Sequence, residues 1–285
     1  MFKQTLSLVF VILFSIHCKD AKKESDVTSL ALLALLNSSS CTTTFGAGVP
    51  EWIQTSFTCV TVSVSGSNYV FKFNSVPTYK SIYWGSSNSN YESTMYVNSG
   101  QSNSANPNLI KSQNYTLTVP INNQNTTATT SGFGMIGVST NGIAIYNDQA
   151  APGDALTTEY YTFDSAQGHP TNTGAYHYHV EPPKISNNDS KLVGIAKDGY
   201  LIFGKKHDTT TAGLTTGFTL GGVNSSTKCT DAGSSTSVPT TWAGAANYNT
   251  IKTANTRHHY HVNNGIEVNG ILLSGKLIGE GGSTN

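Results

Sequence analysis

One pattern occurs twice in this chain, and it restricts the fold more than any other feature. Gly137-Val-Ser-Thr-Asn141-Gly142-Ile-Ala-Ile-Tyr146 is matched by Gly194-Ile-Ala-Lys-Asp198-Gly199-Tyr-Leu-Ile-Phe203. Each copy sets Asn-Gly or Asp-Gly between apolar runs, and those dipeptides accept positive φ at the centre of a type I′ turn, so each copy predicts a tight β-hairpin. A histidine motif follows each hairpin: Tyr176-His177-Tyr178-His179 after the first and His258-His259-Tyr260-His261 after the second. The order hairpin, loop, His-x-His is therefore duplicated, and it implies two pseudo-equivalent halves rather than a solenoid array.

The rest of the chain agrees with an all-β reading. Only 11% of residues are charged while 37% are hydrophobic, so polarity comes from Ser, Thr, Asn and Gly, which favour strands and turns over helix interiors. Thr58–Val64 and Tyr69–Phe73 alternate with period two around a Ser65-Gly66-Ser67-Asn68 turn and predict another hairpin. Ser81–Trp84 and Tyr115–Val119 are further strand candidates, separated by a polar loop over about 86–108. The expected architecture is an antiparallel sandwich or distorted barrel. Lys plus Arg equals Asp plus Glu at 16 each, so there is no basic footprint, and nucleic acid is not an expected partner.

Residues 1–17 read as an export signal: Lys3 precedes an apolar run, Leu6–Ile16, too short to span a bilayer. Cys18 follows directly and fits a relaxed lipobox, with His17 where a small residue is usual, so Cys18 is the expected site of lipidation and membrane attachment at the bacterial cell envelope. The alternative is an ordinary secretory signal cleaved elsewhere. Residues 18–44 read as a low-complexity tether that includes Leu30–Leu36, and 45–285 as one β domain. In an oxidising compartment one disulfide is expected among Cys41, Cys59 and Cys229, with all three pairings open.

On a strand, residues i and i+2 share a face, so His177 and His179 project together, as do His259 and His261, while Tyr176 and Tyr178 face the other way. Imidazoles so placed suit zinc, copper, iron or nickel, and the duplicated order suggests one shared site built from both pairs. The competing reading is a metal-free network of neutral histidines bonded to Tyr hydroxyls and backbone. His169, in Gly168-His169-Pro170, is either a fifth ligand or a turn residue. Asp164 is a candidate for orienting an imidazole, with Tyr176 and Tyr178 beside the ligands, or else a residue of its own turn. His258 falls on the opposite strand face and is set aside.

Common catalytic signatures are absent: there is no Gly-x-Ser-x-Gly, no Walker loop and no His-Glu-x-x-His. Any enzyme here would be a hydrolase or oxidoreductase working through the same histidines and their metal. A surface-binding module without metal is the third possibility.

Tyr176-His177-Tyr178-His179 resembles the signature of the YHYH family of exported bacterial proteins. The similarity extends to Asn106-Pro107-Asn108, Gln113-Asn114-Tyr115, the hairpin at Asn141, Asp164, Gly168-His169, Asp198-Gly199-Tyr200, Phe203-Gly204 and Tyr260-His261, or about residues 68–275. The chain departs from the family where members often carry Pro-x-His and this sequence has Tyr91-Glu92-Ser93-Thr94. The resemblance implies export and carries no settled activity.

Overall fold

A computed structural model describes residues 41–96, 102–121, 123, 128–130, 132–147, 149–150, 154–156, 159–185 and 192–203, with strand segments at 229–230, 258–261 and 276–278. The export signal, Cys18 and the Leu30–Leu36 run lie outside the described residues. Cys41 is already tied into the fold: it is disulfide-bonded to Cys59, and Thr43 Oγ1 accepts the Cys59 amide at 2.8 Å. The bridge closes the shorter of the possible loops and leaves Cys229 outside it.

The described chain is all-β and sandwich-like, with a single α-helix and no closed barrel among the described residues. In order come β1 (Thr44–Phe45), α1 (Glu51–Ser56), β2 (Thr61–Ser65), β3 (Asn68–Phe73), β4 (Tyr115–Pro120), β5 (Ala128–Thr130), β6 (Met135–Ser139) and β7 (Ala144–Tyr146). There follow β8 (Gln149–Ala150), β9 (Asp154–Ala155), β10 (Gly168–Pro170), β11 (Tyr176–Tyr178), β12 (Leu192–Ala196), β13 (Leu201–Phe203), β14 (Cys229–Thr230), β15 (His258–His261) and β16 (Lys276–Ile278). The expected strand at Ser81–Trp84 is instead a 3-10 turn, Ile82–Trp84, because Ser81 Oγ accepts the Tyr83 amide and Gly85 closes the turn at φ +78°.

A smaller sheet, ordered β1-β2-β3-β4, turns Val62, Phe71, Leu117 and Val119 inward, all with no exposure. They pack with Trp52, Ile53 and Phe57 around α1 and with Val138, Ala144, Ile195 and Leu201 of a larger sheet. Full burial of each large side chain contributes about 1.5–3 kcal/mol. The larger sheet's other face buries Ile136, Ile145, Val193, Ile202, Tyr176 and Tyr178 under Tyr83 and Ile110. This explains why β6 and β12 are buried at every position.

The larger sheet runs β10-β11-β7-β6-β12-β13-β15-β14 and carries the duplication in its register. At its centre Val138 pairs with Ile195, flanked by Ser139 with Gly194 and Gly137 with Ala196, so a half-turn about this point exchanges the two hairpins. Each hairpin skips one residue at the equivalent place, before Gly137 and before Gly194. The next strand outward is parallel in both halves: β11 on β7 and β15 on β13. The sheet is thus mixed rather than purely antiparallel, and its parallel joints are where the histidine strands attach.

The two repeated turns are tight but not type I′. Among the described non-glycine residues only Cys59, Ser75 and Gln167 have positive φ, so Asn141 and Asp198 do not. The Gly142 amide bonds Ser139 O and the Gly199 amide bonds Ala196 O, each glycine lying at positive φ (+74° and +88°). This is a three-residue loop, a type I turn followed by a left-handed residue. A Cβ on Gly142 would also lie 2.5 Å from Cys59 O, so the position excludes larger residues twice over.

Candidate metal centre

The same three-residue loop builds the site. Thr171 and Ala175 close the turn between β10 and β11, with Gly174 left-handed at φ +86°, and set His169 directly opposite His177. His179 follows two residues beyond His177. The three rings converge: His169 Nε2 is 3.1 Å from His177 Nε2, which is 3.0 Å from His179 Nε2. All three are buried, and among the described residues they form the one group of three or more side chains able to hold a metal ion.

Their other nitrogens decide the chemistry. His177 Nδ1 lies 3.0 Å from Ala175 O and His179 Nδ1 faces Asn147 O. A carbonyl only accepts, so both Nδ1 atoms carry the proton. Thr162 Oγ1 donates to Glu159 O at 2.8 Å and therefore accepts from His169 Nδ1 at 2.6 Å. Every Nε2 is then a bare lone pair, and three lone pairs aimed at one another cannot hydrogen-bond. A proton would relieve them, but burial and mutual repulsion hold His169 and His177 well below the usual 6.5, and burial pushes His179 down to about 4. A cation between them would satisfy all three. Two imidazole nitrogens on one zinc-sized ion stand about 2.9 Å apart at right angles and about 3.3 Å apart at tetrahedral angles, for bonds of ~2.05 Å. The His169–His177 and His177–His179 spacings fit that range, and the three ligand atoms all lie within 4.8 Å of one another.

Aromatic rings wall the cluster. Tyr146 stacks on His177 with centroids 3.9 Å apart, and Phe163 packs edge-on to His169 and parallel to His179. Tyr146 closes the first copy of the duplicated pattern as Phe203 closes the second. That shared aromatic was a signal for a wall residue that sequence reading passed over. Asn147, Thr162 and Glu159 were also missed, and Asn147 and Ala175 act through the main chain, which leaves no side-chain signature.

Two expectations need correction. Asp164 touches no imidazole: it accepts from Ser81 Oγ at 2.5 Å, from Tyr176 OH at 2.8 and 2.9 Å, and from the amides of Ala166 and Gly168. It sits behind the strand, where its nearest acid-bearing neighbours are tyrosines, and burial pushes it up to about 6. Tyr178 and Tyr176 meet Tyr79 OH on that same side, away from the histidines. Nor do the two His-x-His strands meet. β11 and β15 are separated by β7, β6, β12 and β13, five steps of ~4.8 Å, or about 24 Å along the sheet. The first half draws its third histidine from its own neighbour, His169. The backbones of His259 and His261 are placed, and their side chains lie outside the described residues.

No curated protein and no solved structure matches this chain. The family model described as YHYH protein matches residues 114–256, beginning after Asn106-Pro107-Asn108 and ending before His258. With half of its length matched, and Tyr176-His177-Tyr178-His179 inside the match, the chain belongs to the YHYH family.

Proposed function

We propose that this is an exported, lipid-anchored protein of the bacterial cell envelope that holds a transition metal ion on His169, His177 and His179. The observation that carries the reading is the set of Nδ1 partners, which leaves three buried Nε2 lone pairs within 4.8 Å of one another. Zinc, copper, iron and nickel all accept such a donor set. Neutral imidazole is the ligating form, and the depressed basicity of these rings keeps them neutral at physiological pH. Elemental analysis of the full-length protein, purified without chelator, tests it: about one ion per chain from this cluster is expected, and an ion-free protein that binds none on titration would return the histidines to a metal-free surface-binding module.

A hydrolase or oxidoreductase reading draws on the ligand count, since three protein nitrogens leave room in the coordination sphere for water or substrate. Spectroscopy of the cobalt- or copper-loaded protein with azide separates the readings. A shifted spectrum favours catalysis, and an unchanged one favours capture or structure. The anchor is tested separately. Cys18→Ser is expected to move the protein from membrane to soluble fractions and to abolish incorporation of labelled fatty acid. No helix among the described residues is long and apolar enough to cross a membrane.

A further inference from the structure

We infer that the second half of the large sheet carries its own metal site, made by Cys229, His259 and His261, in which a thiolate replaces the imidazole of the first. It goes beyond the reading of the first site and rests on the sheet's half-turn symmetry. In the first half β11 lies parallel to β7 with His177 paired to Ala144 and Tyr178 to Ile145. In the second half β15 lies parallel to β13 with Tyr260 paired to Ile202 and His261 to Phe203. The hairpins themselves superpose pair for pair: Val138 with Ala144 matches Ile195 with Leu201, and Gly137 with Ile145 matches Gly194 with Ile202. Ile145 therefore corresponds to Ile202, Tyr178 to Tyr260, and His177 and His179 to His259 and His261. The motif is equivalent by register, not only by spelling.

The third ligand follows from the outermost strand. β10 pairs antiparallel with β11 and sets His169 opposite His177. β14 pairs antiparallel with β15 and sets Cys229 opposite His259. Cys229 thus stands at the register position of His169. Only the connection differs: a short turn, 171–175, joins β10 to β11, whereas 231–257 joins β14 to β15, which hides the correspondence in the sequence. A half-turn about an axis normal to the sheet keeps both sets on one face, at opposite ends. The redox context agrees. Two of the four cysteines form the Cys41–Cys59 bridge, which leaves Cys229 outside it. Sulfur with two imidazoles favours zinc or copper over the harder metals that an all-imidazole set also accepts.

The test uses the full chain carrying Cys18→Ser, so that Cys229 is the single cysteine outside the disulfide, titrated with cobalt(II). Two ions per chain and a sulfur-to-cobalt charge-transfer band in the near ultraviolet are expected. Cys229→Ser should remove the band and leave the ion of the first site. His177→Ala with His179→Ala should lose the first ion and keep the band, and the band reads the second site whatever becomes of the first. Alkylation of Cys229 with iodoacetamide needs no further substitution and guards against a variant that misfolds: bound metal should slow it at least tenfold. A parent protein with no thiolate band, or with alkylation equally fast with and without metal, overturns the second site and leaves the first untouched. A band that persists while the ion count ignores His177 and His179 overturns the first and leaves the second.

Discussion

The two faces of the Tyr176–His179 segment bury the same kinds of polar group and treat them oppositely. On one face Tyr176 OH donates to Asp164, Ser81 donates to the same carboxylate, the turn amides complete it, and Tyr79 links both tyrosines. Donors and acceptors balance there, and the network closes on itself. On the other face the donors are spent outward, on Ala175 O, Asn147 O and Thr162 Oγ1, and the acceptors are left pointing inward. A buried network that closes is a structural device, whereas one that ends in inward-facing lone pairs is able to take up a cation. The contrast separates scaffold from site within four residues.

The largest effect is expected on the histidine face, where His177→Ala or His179→Ala should weaken zinc binding by more than about a hundredfold, beyond the 10–100-fold typical of outer-shell partners. Calorimetric titration at fixed neutral pH reads this, and unchanged affinity would mean that both faces are closed networks. Next comes the tyrosine face. Asp164→Ala leaves Tyr176 OH, Ser81 Oγ and two amides without their acceptor and should lower stability by about 2–4 kcal/mol in urea melts while zinc stoichiometry stays the same. An equal loss of zinc would show the faces to be coupled.

Acid should distinguish the faces by sign. The imidazoles of the metal-free protein are depressed in the folded state, so the unfolded chain takes up protons first below 6.5; their contribution is intact above that value and is lost as pH falls below it, down to about 4 for His179. Asp164 is raised to about 6 from 3.8, so its contribution is present below 3.8 and lost as pH rises through about 6. Three rings outnumber one carboxyl, and thermal melts of the metal-free protein should fall between pH 6.5 and 4. A flat profile would mean that the rings are not held neutral. The smallest effect belongs to Thr162→Val, which removes the nearer oxygen at His169 Nδ1 and leaves the Glu159 carboxylate 3.5 Å away. About a tenfold loss of zinc affinity, roughly 1.4 kcal/mol, is expected with the fold unchanged.

Much of this was legible in the residues. The period-two runs gave β2, β3 and β4, and the repeated Asn-Gly and Asp-Gly patterns gave two hairpins that register residue for residue. The alternation of Tyr176 to His179 placed histidines and tyrosines on opposite faces correctly. Strand order was the limit. Duplication says that two units are alike and not how they dock, and pairing β6 with β12 sends the His-x-His strands outward instead of together. The turn type was misjudged because Asn141 keeps negative φ and leaves the left-handed position to Gly142. Asp164 was given to the wrong side because nothing local indicates whether a buried carboxylate will meet an imidazole or a phenol.

The pairing of β6 with β12 has the form of a two-fold subunit contact contained within one chain. Each half offers the same edge, Gly137–Ser139 or its counterpart Gly194–Ala196, and the register is self-complementary about Val138 and Ile195. In a closed dimer such a contact is isologous, the same patch serving both partners. A chain cut after Ile185 would keep β6, β7, β10 and β11 and uncover an edge already shaped to receive its own copy. Open strand edges recruit further strands, so the fragment's expected state is a symmetric dimer, with its second copy standing where the C-terminal half stands now.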